Sequence, residues 1–225
     1  MSFIYLNRSG EKTDNERIRV FLPGWGFDGW SALLFPPFRN CDLVIPDGMV
    51  TPEIMDSLNS FLKKREISKI DLIGWSMGAN LGLDYALKYG EKISSLTLAA
   101  MRSSWPAPEI GEIRKSLSAA PEQFMEDFYR KCFLGARKTY EKFIAEFQGN
   151  YLNNLEVNQL IDGLDYLESY NLVDPPVSAG IKLRVLHGDR DIVAPLSDRP
   201  KLAGARELII PYLGHAVLSA DRVTL

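Results

Sequence analysis

The chain is short of the residues on which several common chemistries depend. It has only two cysteines, Cys41 and Cys132, too few for a disulfide framework and at a spacing that matches no metal motif. It has only two histidines, His187 and His215, which excludes a multi-histidine metal centre; neither a metal nor any other cofactor is expected. Long apolar runs are missing too: none approaches the roughly 20 residues needed to cross a bilayer. The N-terminal segment breaks its apolar stretches with Arg8, Glu11 and Lys12, so it lacks a signal-peptide core. An excess of either charge is also absent, and a formal net charge of -3 gives no global attraction to nucleic acid or anionic lipid. The expectation is a cytoplasmic monomer in a reducing compartment, with no nucleic-acid or membrane partner.

What is present suits a single catalytic domain. With 225 residues, 46% of them hydrophobic, the chain can bury a large core as one domain or as one domain carrying an insertion. Short β-rich runs recur at Ile18–Leu22, Asp42–Ile45, Lys69–Ile73, Ile93–Ala99, Leu183–Leu186 and Glu207–Ile210. Helical stretches lie between several of them. One runs from Asp28 towards Phe35, one opens at an N-cap of Thr51-Pro52-Glu53 and runs to about Lys64, and one spans Ala79 to Tyr89. Strands alternating with helices predict a parallel sheet covered on both faces.

From about Arg102 to Pro176 the strand signals stop and helical periodicity replaces them, with prolines at both edges (Pro106, Pro108, Pro175, Pro176). The expected organisation is a core of residues 1–101 and 177–225 with a helical lid inserted at 102–176. Nearly half of the chain's aromatic residues fall in that third of its length. Phe124, Phe128, Tyr129 and Phe133 share one helical face, and Phe143 and Phe147 repeat the spacing. This enrichment predicts an apolar acyl-binding surface, with Phe124, Phe128 and Phe143 among its residues; packing between helices is the alternative.

The most informative segment is Gly74-Trp75-Ser76-Met77-Gly78. It follows an apolar strand and precedes a helix, the context in which Gly-x-Ser-x-Gly makes a sharp turn that lifts a serine hydroxyl clear of the sheet. A serine is a poor nucleophile until a base takes its proton, and in an open parallel sheet the base and its acid come from loops at the carboxyl ends of later strands. Two such loops follow. The first, His187-Gly188-Asp189-Arg190-Asp191, carries Asp191, with Asp189 as the alternative acid. The second, Gly214-His215-Ala216, carries the base. The order serine, aspartate, histidine is the one expected for this arrangement. His187 precedes the acid and sits at a strand end, so it reads as structural. Backbone N–H groups of Met77 and of Trp25, in Pro23-Gly24-Trp25-Gly26, are the natural donors for an oxyanion.

Together these residues resemble the α/β-hydrolase superfamily over almost the whole chain. Trp25 in Gly-Trp-Gly and Trp75 in Gly-Trp-Ser-Met-Gly look like the pimeloyl-acyl-carrier-protein methyl ester esterases of biotin synthesis. That resemblance implies Ser76, Asp191 and His215 as the triad, Trp25 and Met77 as oxyanion donors, and Trp25 and Trp75 against the substrate. It also implies a methyl ester on an acyl-phosphopantetheine carried by an acyl-carrier protein. The chain departs from the pattern at Pro23, where a histidine is usual, and at Ala79, where a second glycine often follows. Only ten residues follow His215, little room for the usual closing helix, so truncation is one reading of the C-terminus. A carrier protein is acidic, so a basic cluster formed by Arg114, Arg130, Lys131, Arg137 and Lys138 is the expected docking surface. A general short-chain esterase, a menaquinone-pathway lyase with the same triad, and a non-hydrolytic ligand receptor are the alternatives.

Overall fold

The structure is a computed structural model, and it describes residues 2–7, 18–172, 180–221 and 223. Seven strands form one sheet: β1 (Phe3–Leu6), β2 (Ile18–Leu22), β3 (Leu43–Pro46), β4 (Ile70–Trp75), β5 (Ile93–Ala99), β6 (Lys182–Gly188) and β7 (Arg206–Ile210). Their order across the sheet is β1-β3-β2-β4-β5-β6-β7. All neighbours are parallel except β1 and β3. β3 is buried throughout, and β4 and β5 nearly so, as expected for strands packed on both faces. This is an α/β-hydrolase fold. β1 escaped the sequence reading, because a four-residue run such as Phe-Ile-Tyr-Leu carries too little periodicity to stand apart.

Helix α1 (Ile54–Lys64) begins three residues after the expected cap. Thr51 instead closes a preceding turn, its carbonyl accepting the Ile54 N–H at 3.0 Å. The stretch after Asp28 is a 3-10 helix, Gly29–Leu34, with the Asp28 carboxylate capping the Trp30 N–H at 3.0 Å. Helix α2 (Met77–Tyr89) packs across β2, β4 and β5. It starts two residues earlier than its periodicity suggests, because its first turn is the elbow itself.

Among the described residues, five helices occupy the interval between β5 and β6: α3 (Ala107–Ala119), α4 (Pro121–Cys132), α5 (Arg137–Phe143), α6 (Gly149–Asn153) and α7 (Val157–Ser169). A π-helical turn, Ile144–Gln148, joins α5 to α6. The excursion leaves and returns at one place. The Leu172 N–H donates to the Ser103 carbonyl at 2.8 Å, and Ser104 bridges Asn171 antiparallel. Buried Arg102 braces this stem through ion pairs to Glu109 (2.8 Å) and Asp198 (2.9 Å), with its guanidinium 4.3 Å from the Trp105 ring centre. The expected downstream edge at Pro175-Pro176 lies outside the described residues. No helix among the described residues is long and apolar enough to cross a membrane.

Candidate active site

Ser76 stands alone between the last residue of β4 and the first of α2, with φ 56° and ψ -124°. A non-glycine residue there stores on the order of 1–3 kcal/mol of strain, which only a well-determined surrounding can hold. Its N–H donates to the Ala99 carbonyl at 2.8 Å, and its carbonyl accepts the Ala79 N–H at 2.8 Å. The flanking glycines are steric requirements. A methyl group on Gly74 would strike the Gly78 carbonyl, and one on Gly78 would strike the Leu22 carbonyl of β2.

The loops after β6 and β7 bring Asp191 and His215 together. His215 Nδ1–H donates to Asp191 Oδ2 at 2.8 Å. Asp191 Oδ1 accepts the N–H groups of Val193 (2.9 Å) and Ala194 (2.8 Å). Burial pushes the Asp191 carboxyl up, but His215 and the Ala194 N–H outweigh it and hold the group below its ordinary value. The carboxylate thus fixes the ring with its lone pair on Nε2, the form a general base requires. Nε2 is buried and has no hydrogen-bond partner among the described residues, Ser76 included. The ring centre lies 5.7 Å from that of Trp75, the neighbour of Ser76, and Trp75 Nε1–H donates to the His215 carbonyl at 2.8 Å.

The other candidates separate cleanly. Asp189 Oδ1 accepts the Tyr212 N–H at 2.6 Å, a turn contact in an exposed position. His187 is fully buried, and its Nε2 lies 2.7 Å from the Ala194 carbonyl, to which it donates. Burial drives its pKa down against that hydrogen bond, so it is neutral and supports the acid loop. Among the described residues no group of three or more His, Cys, Asp or Glu is placed to hold a metal.

The loop after β2 that carries Trp25 packs on the elbow that carries Met77: a Cβ on Gly24 would lie 3.1 Å from Ser76 Cβ. The Phe27 N–H closes a turn on the Gly24 carbonyl at 3.1 Å, with Gly26 at φ 75°. That positive φ explains why glycine follows the tryptophan. Neither the Trp25 nor the Met77 N–H donates to another backbone group among the described residues.

A cavity of about 430 Å³ opens on Ser76. Trp25, Phe124 and Phe128 line it. Two expected substrate contacts do not reach it. Trp75 is fully buried, packed on Phe27 (4.7 Å between ring centres) and Phe35 (5.3 Å); truncating such a side chain to alanine costs about 3–5 kcal/mol, a folding effect. Phe143 is fully buried in an aromatic cluster with Tyr129 and Phe133, each 5.0 Å away. The aromatic face of α4 is therefore divided: Phe124 and Phe128 turn to the cavity, Tyr129 and Phe133 to the core. Leu164 and Leu167 of α7, Ile113 of α3, Trp105, Ile192 and Val193 complete the apolar wall. Sequence reasoning missed these, although Ile113 shares an i, i+3, i+4, i+7 face of α3 with Glu109, Glu112 and Ser116, which also line the cavity.

The helical insertion also holds the loop that carries His215. The Leu134 and Cys132 carbonyls at the end of α4 accept the N–H groups of Gly214 and Ala216, each at 2.9 Å, on either side of His215. Three members of the expected basic docking cluster are ion-paired within the insertion. Arg114 bridges Asp165 and Glu168 of α7, Arg130 pairs with Asp127 at 2.7 Å, and Arg137 with Glu141 at 2.8 Å. Lys131 lines the cavity, and Lys138 is exposed.

A strained serine between strand and helix, with an Asp–His couple on later loops of the same sheet, defines a class of hydrolytic folds. The model of the alpha/beta hydrolase fold family matches residues 37–218, and the chain belongs to that family. No curated protein is significantly similar to it in sequence. Among solved structures it is similar to MGS-M2, an alpha/beta hydrolase enzyme from a Medee basin deep-sea metagenome library, with 17% identity and a TM-score of 0.73 over 95% of this chain and 87% of that one. The same four figures describe its similarity to an esterase from Exiguobacterium antarcticum. A thermophilic esterase from Thermogutta terrifontis is 16% identical, with a TM-score of 0.73 over 95% of this chain and 86% of that one. At these identities the likeness is one of fold.

Proposed function

We propose that the protein is a serine carboxylesterase. The observation that carries this reading is the 2.8 Å bond from His215 Nδ1 to buried Asp191, which leaves a lone pair on Nε2 of a ring packed against Trp75, the residue before the strained Ser76. On substrate binding, Ser76 Oγ attacks the ester carbonyl while Nε2 takes its proton; bonds of this kind are often long before substrate docks and tighten afterwards. Asp191 stabilises the imidazolium, and the N–H groups of Trp25 and Met77 donate to the oxyanion. His215 returns the proton to the departing alcohol, leaving an acyl group on Ser76. A water, deprotonated by the same imidazole, then attacks the acyl-enzyme, releasing the acid and restoring Ser76.

The cavity favours an apolar acyl chain, because its wall is largely Trp, Phe, Leu, Ile and Val. Within that class the resemblance at Gly-Trp-Gly and Gly-Trp-Ser-Met-Gly points to the methyl ester of a pimeloyl-acyl-carrier protein, and the insertion would act as a lid over the chain. A specific observation favours a second reading, a general short-chain esterase: Arg114, Arg130 and Arg137 are each paired with carboxylates of the insertion itself, leaving less charge for an acidic partner. Hydrolysis of p-nitrophenyl butyrate, with fluorophosphonate labelling, tests the chemistry; both must vanish in Ser76→Ala, and a folded native chain that neither labels nor turns over would be a receptor. Growth of a biotin-requiring bacterium lacking its pimeloyl esterase, with the native chain but not Ser76→Ala, tests the substrate.

A further inference from the structure

We infer that Gly163 of α7 is a positioning residue for the oxyanion hole, so that the docking of this lid helix sets the two donors. This rests on the esterase reading above. Both residues whose N–H groups serve as donors send their side chains to the same point of α7. A Cβ at Gly163 would lie 2.6 Å from Trp25 Cδ1, 3.0 Å from Trp25 Nε1 and 3.5 Å from Met77 Sδ. Three residues earlier on the same helix, the Leu160 carbonyl accepts the Trp25 Nε1–H at 2.8 Å. The indole is thus held by a hydrogen bond from α7 and fitted into a space that α7 leaves by lacking a side chain.

Nothing else explains a glycine here. Gly163 is buried in the interior of a 13-residue helix, where glycine is a poor helix former. Its φ lies outside the left-handed region that would require it. The requirement is space for Trp25. Phe124 and Phe128 pack edge-on against the indole, at 6.4 and 5.0 Å between ring centres, so a ring pushed by a new methyl has little room to turn and passes the displacement to its own N–H. Oxyanion donors act over 2.7–3.1 Å, so a shift of a few tenths of an ångström matters. Met77 is held less closely, and Trp25 is the more sensitive of the two.

The test compares Gly163→Ala with the native chain on p-nitrophenyl butyrate, with turnover normalised to sites titrated by a fluorophosphonate. kcat should fall by about 10- to 100-fold, part of what a lost donor costs, while KM stays within about twofold. Affinity for a trifluoromethyl ketone, which forms a tetrahedral adduct on Ser76, should fall with it. Trp25→Ala keeps the backbone N–H but removes every indole atom that the new methyl would strike, leaving Met77 Sδ at an ordinary 3.5 Å, so Gly163→Ala added to Trp25→Ala should leave kcat at the Trp25→Ala value. A loss of stability alone would lower the melting temperature without that pattern. Should Gly163→Ala fail to fold, Trp25→Ala with and without Gly163→Ala carries the test. A native chain that hydrolyses the ester while Gly163→Ala keeps its kcat, or a double variant worse than Trp25→Ala, overturns this inference alone; an inactive native chain overturns the esterase reading instead.

Discussion

Replacing Asp191 by asparagine should reverse the polarity of His215 without moving it. Asp191 Oδ1 accepts two backbone N–H groups, at 2.9 and 2.8 Å, and Oδ2 accepts the imidazole Nδ1–H at 2.8 Å. An asparagine amide has one oxygen to share between these positions. Turning its NH₂ towards Val193 and Ala194 would leave two backbone donors without an acceptor, at roughly 1–3 kcal/mol each. The oxygen therefore stays with the backbone, and the NH₂ faces His215 Nδ1. That nitrogen must then carry the lone pair, which places the proton on Nε2 and aims it at the serine. A base in the wrong tautomer costs about 10⁴-fold in kcat where this has been seen in a serine triad, about 5 kcal/mol in the barrier. Steady-state hydrolysis of p-nitrophenyl butyrate by Asp191→Asn should show that loss in kcat with KM little changed. Asp189→Asn, whose partner is the Tyr212 N–H, should stay within about threefold of native. A loss below tenfold for Asp191→Asn, or equal losses for the two, would refute the assignment.

Two further predictions address stability and partners. Burial lowers the pKa of His187 from 6.5, so below that pH the unfolded chain binds more protons than the folded one, and stability falls as pH drops below about 6.5; a melting-temperature series should show a shallower acid slope in His187→Gln than in the native chain, and identical slopes would remove His187 as the cause. Reversing Arg130, Arg137 and Lys138 to glutamate should raise KM for an acyl-carrier-protein ester by about tenfold while sparing p-nitrophenyl butyrate, and equal effects on both would dispose of carrier docking at this surface.

The elbow was legible because its constraints are local. Gly74 and Gly78 are forced by backbone atoms within the same strand–turn–helix and the adjoining β2, and Ser76 sits where that turn puts it. The strands Ile18–Leu22 and Ile93–Ala99 were legible to the residue, since β-rich runs bounded by turn residues announce themselves. The aromatic residues of the insertion were not sorted so well. Spacing placed Phe124, Phe128, Tyr129 and Phe133 on one face, but α4 touches both the cavity and the core, and periodicity does not say which neighbour a face meets. Trp75 was misread for a related reason: a motif position next to a nucleophile does not reveal that the side chain points back into the sheet.

By itself the sequence determined the parallel part of the sheet, the turn that carries Ser76, and the order of the loops that carry Asp191 and His215, because strand pattern and turn chemistry are written in short segments. Only the tertiary structure decided which residues of the insertion line the cavity, that Arg114 pairs with Asp165 and Glu168 of α7, and that Gly163 lies against both Trp25 and Met77. Those depend on contacts between residues far apart in the chain, set by how helices dock on one another, and no local pattern encodes that docking.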